Sequence, residues 1–248
     1  RKFQAALLRN ETKIVEVLSR ETGKPLWESR QEVEAMVTKV DVTLGESMKM
    51  VSEIEIGSVG RCRYRPHGVL AVIGPFVFPG HLPNGHILPA LATRNTVVFK
   101  QSEKAAYVGQ AIAECFLEAG FPPGVFNLVQ GEREVGRRLC VHEGVDGVLF
   151  TGSYEVGVRI RQDTLQQHWK LLVLEMGGKN PAIVWKDADL NLALHETLYG
   201  AFVSAGQRCT STSRILVHAD LFEAFVSKFH AKAKAFAIGH PFEDPFIG

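Results

Sequence analysis

From Arg65 onward, five short apolar runs alternate with amphipathic stretches of crossover-helix length, and few folds accept that rhythm. The runs span residues 69–73, 96–99, 125–129, 147–150 and 171–174, and the intervening helical stretches span 85–93, 104–119, 132–141 and 154–167. Right-handed crossovers put helices on both faces, so the pattern predicts an α/β fold with a doubly wound, parallel, five-stranded sheet. Ahead of it, Val33, Met36, Val37, Val40, Leu44, Met48 and Val51 recur at steps of three and four, predicting an N-terminal helical layer with one buried face. The sequence Gly23-Lys24-Pro25 stops one helix there and lets the next begin.

After Gly177-Gly178 a second series starts, with strands at 182–185 and 214–217 and helices at 190–204 and 221–236. The adjacent glycines permit a sharp turn or a close approach, so the expected division is 1–176 for the first domain and 177–248 for the beginning of a second. The chain opens without Met inside a helical pattern and closes at Phe246-Ile247-Gly248 with no terminus signal, which reads as part of a longer chain.

Composition narrows the function classes. Lys plus Arg is 28 against 27 for Asp plus Glu, a formal charge of +1, which leaves no field to draw in nucleic acid or an anionic membrane. No apolar run reaches membrane-spanning length, and no signal-peptide pattern opens the chain. Cys62, Cys115, Cys140 and Cys209 are scattered, unlike a disulfide framework or a zinc knuckle, and fit a reducing cytoplasm. His81 and His86 have no apparent third ligand, so no metal is expected.

Four features carry candidate chemistry, each with a structural alternative. Phe150-Thr151-Gly152-Ser153-Tyr154-Glu155-Val156-Gly157 is a G-x-x-x-x-G turn opening a helix, suited to a phosphate or simply to a tight turn. Lys100 and Glu103 lie past the second strand, at the edge where doubly wound sheets bind ligands. They could hold ribose hydroxyls, with the carboxylate favouring NAD over NADP, but on the residues alone a helix cap by Ser102 is the stronger reading. Cys209 sits in a polar turn beside Arg208, where a cation lowers a thiol pKa; it reads equally as an incidental loop thiol. Glu175 ends an apolar strand before the two glycines and reads either as a general base in a cleft or as an exposed strand-end carboxylate.

Taken in order, 65–75, Phe78-Pro79, Lys100 with Glu103, Phe150-Thr151-Gly152-Ser153, 174–181 and Gly206-Gln207-Arg208-Cys209 resemble the NAD(P)-dependent aldehyde dehydrogenase superfamily. Within it, 78–87 and 65–72 look most like the branch that oxidises N-succinylglutamate semialdehyde in bacterial arginine catabolism. The resemblance implies that Cys209 is the nucleophile that forms a thioester and that Glu175 is the base that activates water to hydrolyse it. It further implies that Lys100 and Glu103 contact the adenosine ribose, that Gly152, Ser153, Tyr154, Glu155, Val156 and Gly157 form the pyrophosphate turn, and that Gly74, Pro75 and Phe76 line NAD. A small-molecule aldehyde as substrate and a homo-oligomer at full length are implied as well.

Two departures stand out. The family's Pro-x-Asn-Phe-Pro turn here reads Pro75-Phe76-Val77-Phe78-Pro79, and Val cannot donate to an oxyanion. The family also continues well past the position of Gly248. Both departures admit a second expectation: a catalytically impaired remnant that keeps only nucleotide binding.

Overall fold

The computed structural model describes residues 1–248. Three helices open the chain: α1 (Lys2–Arg9), α2 (Glu11–Thr22) and α3 (Leu26–Val42). Gly23 caps α2 in the left-handed region, with φ of 75°, and Pro25 precedes the first turn of α3. The expected apolar stripe holds through Val40, which is buried, and then fails at Leu44, which is 44% exposed. A π-type turn over Thr43–Ser47 adds residues to the helical turn, rotating the rest of the stripe off the core. A short antiparallel hairpin follows, β1 (Ile54–Ile56) with β2 (Gly60–Cys62), exposed throughout.

The central sheet comprises β3 (Val69–Ile73), β4 (Thr96–Lys100), β5 (Phe126–Val129), β6 (Gly147–Gly152) and β7 (Leu171–Met176), all parallel, in the order β5-β4-β3-β6-β7. Its crossovers are α4 (His81–Ala92), α5 (Ala106–Glu118), α6 (Arg133–Val141) and α7 (Tyr154–Asp163). Alternate side chains of each strand face opposite layers. Leu70, Val72, Val97, Phe99 and Leu149 join the larger core beneath α1–α5, where Phe3 stacks on Phe116 at 3.9 Å. Ala71, Ile73, Val148 and Phe150 face the other layer and pack against Cys140 of α6 and Ile160 of α7. The strand order reverses between β3 and β6, so their carboxyl ends open a crevice at the switch point.

Beyond β7 lie β8 (Asn180–Val184), α8 (Leu190–Phe202), β9 (Thr212–Val217) and α9 (Ala219–Lys234). Strands β8 and β9 form a separate parallel pair over a small core of Val184, Leu194 and Phe225. Neither Gly177 nor Gly178 takes a positive φ, and neither meets a close neighbour, so the link after β7 does not use the freedom of glycine that the sequence offered. This second unit docks on the N-terminal helices: the Trp27 amide donates to Asp244 at 2.7 Å, the Trp27 indole donates to the Pro245 carbonyl at 2.9 Å, and Trp27 stacks on Phe246.

Candidate functional site

The switch-point crevice widens into a groove of about 660 Å³ at the carboxyl ends of β3, β4 and β6. Of the residues expected to hold a dinucleotide, Gly74, Pro75, Phe76, Lys100, Glu103, Gly152, Ser153, Glu155 and Val156 line it. Tyr154 and Gly157 do not: Tyr154 is 62% exposed, and Gly157 faces β7, where a Cβ would lie 2.4 Å from Met176 Sδ. Gly157 therefore lets α7 pack against the sheet. Ser153 serves as the N-cap of α7, its hydroxyl accepting from the Val156 amide at 3.4 Å, and Ser102 caps the turn after β4 by accepting from Lys104 at 3.3 Å.

The groove carries five cationic side chains, Lys100, Lys104, Arg133, Arg137 and Arg159, against three carboxylates, Glu103, Glu155 and Asp163. Two of the carboxylates are paired, Glu103 with Lys100 and Asp163 with Arg137, each at 3.1 Å, so the excess is positive and suits an anionic ligand. A hydrogen bond to its own backbone, supported by Lys100, holds the Glu103 carboxyl below its usual range. Its volume and positive excess suit an anionic ligand of nucleotide size.

The turn that leads to Cys209 follows α8. Ser204, Ala205 and Gly206 take φ of 56°, 51° and 68°, three successive left-handed residues, and the two that carry Cβ atoms cost about 1–2 kcal/mol each. Cys209 emerges from this turn exposed to solvent. Its backbone carbonyl accepts from Asn180 Nδ2 at 2.7 Å, and the same amide donates to the Ser211 carbonyl at 3.1 Å. The turn is also fastened from below, where the Ser204 amide donates to the buried Glu28 of α3 at 3.2 Å.

Glu175 lies near the end of β7, exposed, opposite Thr151 in the β6–β7 register. Thr151 Oγ1 is 3.1 Å from His86 Nε2 on α4. Burial pushes the His86 imidazole below its ordinary pKa, and the charge of Glu175 opposes that shift, so the carboxylate lies within electrostatic reach of the ring. Val77 lines a cavity of about 40 Å³ together with Glu28, Ser204, Ala205 and Gln207, which places this residue of the Pro75–Pro79 turn against the turn that leads to Cys209.

Sequence reasoning missed Glu28, Glu32 and the groove arginines; it quoted Thr151 and Asn180 within motifs without a role of their own, and weighed His86 only as a metal ligand. A signal existed for two sets. Arg133 and Arg137 are four apart on α6, one turn on the same face. Glu28 and Glu32 fall in step with Met36 and Val40, placing acidic residues on the apolar stripe of α3.

Fold and site together define a doubly wound α/β protein with a cationic groove at its switch point and a second unit that presents a cysteine beyond a strained turn. The chain belongs to the aldehyde dehydrogenase family, which matches residues 1–248. It is 44% identical over 254 aligned positions to N-succinylglutamate 5-semialdehyde dehydrogenase of Escherichia coli K12, covering 100% of this chain and 51% of that protein. Among solved structures it resembles gamma-glutamyl-gamma-aminobutyraldehyde dehydrogenase of Burkholderia cenocepacia J2315 (TM-score 0.94, 34% identity), covering 100% of this chain and 51% of that one. It also resembles glyceraldehyde-3-phosphate dehydrogenase GapN of Methanocaldococcus jannaschii complexed with NADP (TM-score 0.91, 33% identity), covering 100% and 55%. The chain thus spans about half the length of the relatives it matches. No helix is long and apolar enough to cross a membrane.

Proposed function

We propose that this chain carries the cofactor groove and nucleophile of an NAD-dependent aldehyde dehydrogenase acting on N-succinylglutamate 5-semialdehyde. Residues 1–176 form the cofactor domain, and 177–248 form the part of the catalytic domain that bears Cys209. The observation that carries the reading is the placement of the Cys209 turn against the Pro75–Pro79 turn, which itself leads out of the positively charged groove. The substrate is drawn from the E. coli relative, and the preference for NAD rests on Glu103, whose carboxylate bonds ribose hydroxyls and repels a 2′-phosphate.

In this reading the Cys209 thiolate attacks the aldehyde carbon, forming a C–S bond and placing negative charge on the former carbonyl oxygen. The nicotinamide ring, when bound, accepts a hydride. Loss of hydride from the adduct leaves a thioester on Cys209, and Glu175 then takes a proton from the water that attacks it, releasing the acid and restoring the thiol. Backbone N–H groups of the Cys209 turn supply the oxyanion contact, and Val77 supplies none.

Val77 favours a second reading, in which the chain binds nucleotide without turnover. Calorimetric titration with NAD, followed by addition of the aldehyde while reduced nicotinamide is monitored, separates the two. The proposal expects binding and aldehyde-dependent reduction that disappears in Cys209→Ser; binding with no reduction supports the second reading.

A further inference from the structure

Helix α3 touches both turns that meet at the small cavity beside Val77, and it does so with two carboxylates one helical turn apart. Glu28 and Glu32 are each 2% exposed. Oε1 of Glu32 accepts from the amides of Gly80 (2.8 Å) and His81 (3.0 Å), which fixes the exit of the Pro75–Pro79 turn, while Oε2 accepts from Lys24 Nζ at 2.7 Å. Lys24 Nζ in turn sits 3.6 Å from the centre of the Phe78 ring. Glu28 does the same for the other turn. Its Oε2 accepts from the Ser204 amide at 3.2 Å, and its Oε1 accepts from the Ser204 hydroxyl and, at 3.3 Å, from the Arg208 guanidinium. Arg208 Nε donates to Ser204 Oγ at 2.9 Å, closing a ring of Glu28, Ser204 and Arg208, the last of which adjoins Cys209, and the Arg208 guanidinium lies 5.4 Å from the same Phe78 ring.

We infer that Glu28 is a positioning residue: with Glu32 it registers the Cys209 turn against the Pro75–Pro79 turn. Three observations support this. A buried carboxylate is costly unless its oxygens are filled, and Glu28 has donors on both. The segment it holds, Ser204 and Ala205, is left-handed without being glycine, a conformation that persists only where its surroundings over-determine it. The third residue of the ring, Arg208, precedes Cys209 directly and bonds both Glu28 and Ser204, so the carboxylate holds the turn at its start and at the residue before the cysteine. The inference rests on the proposed role of Cys209 for its consequence, while the clamp itself does not.

The test uses the 248-residue chain. Iodoacetamide alkylation is followed across pH by mass spectrometry of the individual cysteine peptides, alongside hydrogen exchange of peptides covering the turn. Burial pushes the Cys115 and Cys140 thiols up to about 11, so they serve as internal silent sites, and exposed Cys62 is the reference. In Glu28→Gln the labelling rate of Cys209 relative to Cys62 changes severalfold, and exchange rises over 203–209 while β3–β7 stay protected. Arg208→Met, which removes the guanidinium from the same ring, raises exchange over 203–209 as well and keeps the test open should Glu28→Gln fail to fold. Exchange over 203–209 that is unchanged, or that rises equally along the whole chain, in the folded variants overturns the inference, because a purely structural role lowers stability without singling out this turn. The exchange data separate this from failure of the underlying reading: wild-type Cys209 labelling no faster than Cys62 counts against the nucleophile, whereas increased exchange confined to 203–209 in Glu28→Gln supports the clamp regardless.

Discussion

The side chain of Asn180 holds the backbone of Cys209: its amide donates to the Cys209 carbonyl at 2.7 Å and to the Ser211 carbonyl at 3.1 Å. Asn180 opens β8, five residues beyond Glu175, so one short segment carries both the proposed base and the group that steadies the proposed nucleophile. Replacing Asn180 with Ala removes both contacts and is expected to cost about 1 kcal/mol, since each is a partly exposed neutral hydrogen bond. Thermal melting checks the magnitude, and hydrogen exchange should localise the loss to the peptide containing Cys209.

Val77 faces the cavity shared with Ser204, Ala205 and Gln207, where a side-chain amide would reach the turn bearing Cys209. One oxyanion donor accounts for about 10²–10³ in rate, so Val77→Asn is expected to raise aldehyde-dependent turnover by that order while leaving NAD binding unchanged. Steady-state kinetics on the two proteins decide it; no gain in turnover would show that Val77 does not limit the rate.

Glu103 is half exposed, pairs with Lys100, and faces the groove. A hydrogen bond to a charged group contributes about 1.5–3 kcal/mol, so Glu103→Gln is expected to weaken NAD binding roughly tenfold or more and to narrow the preference over NADP. Calorimetry with both dinucleotides reports the ratio.

His86 and His81 are both pushed below the ordinary imidazole value of 6.5, chiefly by burial. The unfolded chain therefore binds more protons than the fold just below that value. Stability is fully present above pH 6.5 and is lost as pH falls from there through the depressed folded-state values. Melting temperature measured against pH should decline on that side, and His86→Gln should flatten part of the decline.

The central sheet was legible because a parallel strand buried on both faces leaves a continuous apolar run, as at Val69–Ile73 and Gly147–Gly152. Boundaries were less so. Helix α4 begins at His81 rather than Gly85, because Pro83 and the flanking glycines read as breakers although a proline in the first turn leaves no intrahelical donor unsatisfied. The stripe on α3 failed at Leu44 because a π-type turn has no signature in a three-and-four pattern. For the site, strand-end residues could be placed on one groove from topology alone. The carboxylates of α3 could not, since their partners Gly80 and Ser204 lie far along the chain, and Ser204 becomes a neighbour only when the second unit docks.

Trapping the acyl intermediate tests the proposed chemistry most directly. Glu175→Gln, incubated with NAD and N-succinylglutamate 5-semialdehyde and examined by intact-protein and peptide mass spectrometry, should accumulate an acyl group on Cys209, because the thioester forms but water is no longer activated. Wild-type protein under the same conditions should show little adduct. No adduct in the variant, or acylation of a different cysteine, would contradict the assignment of Cys209 and Glu175.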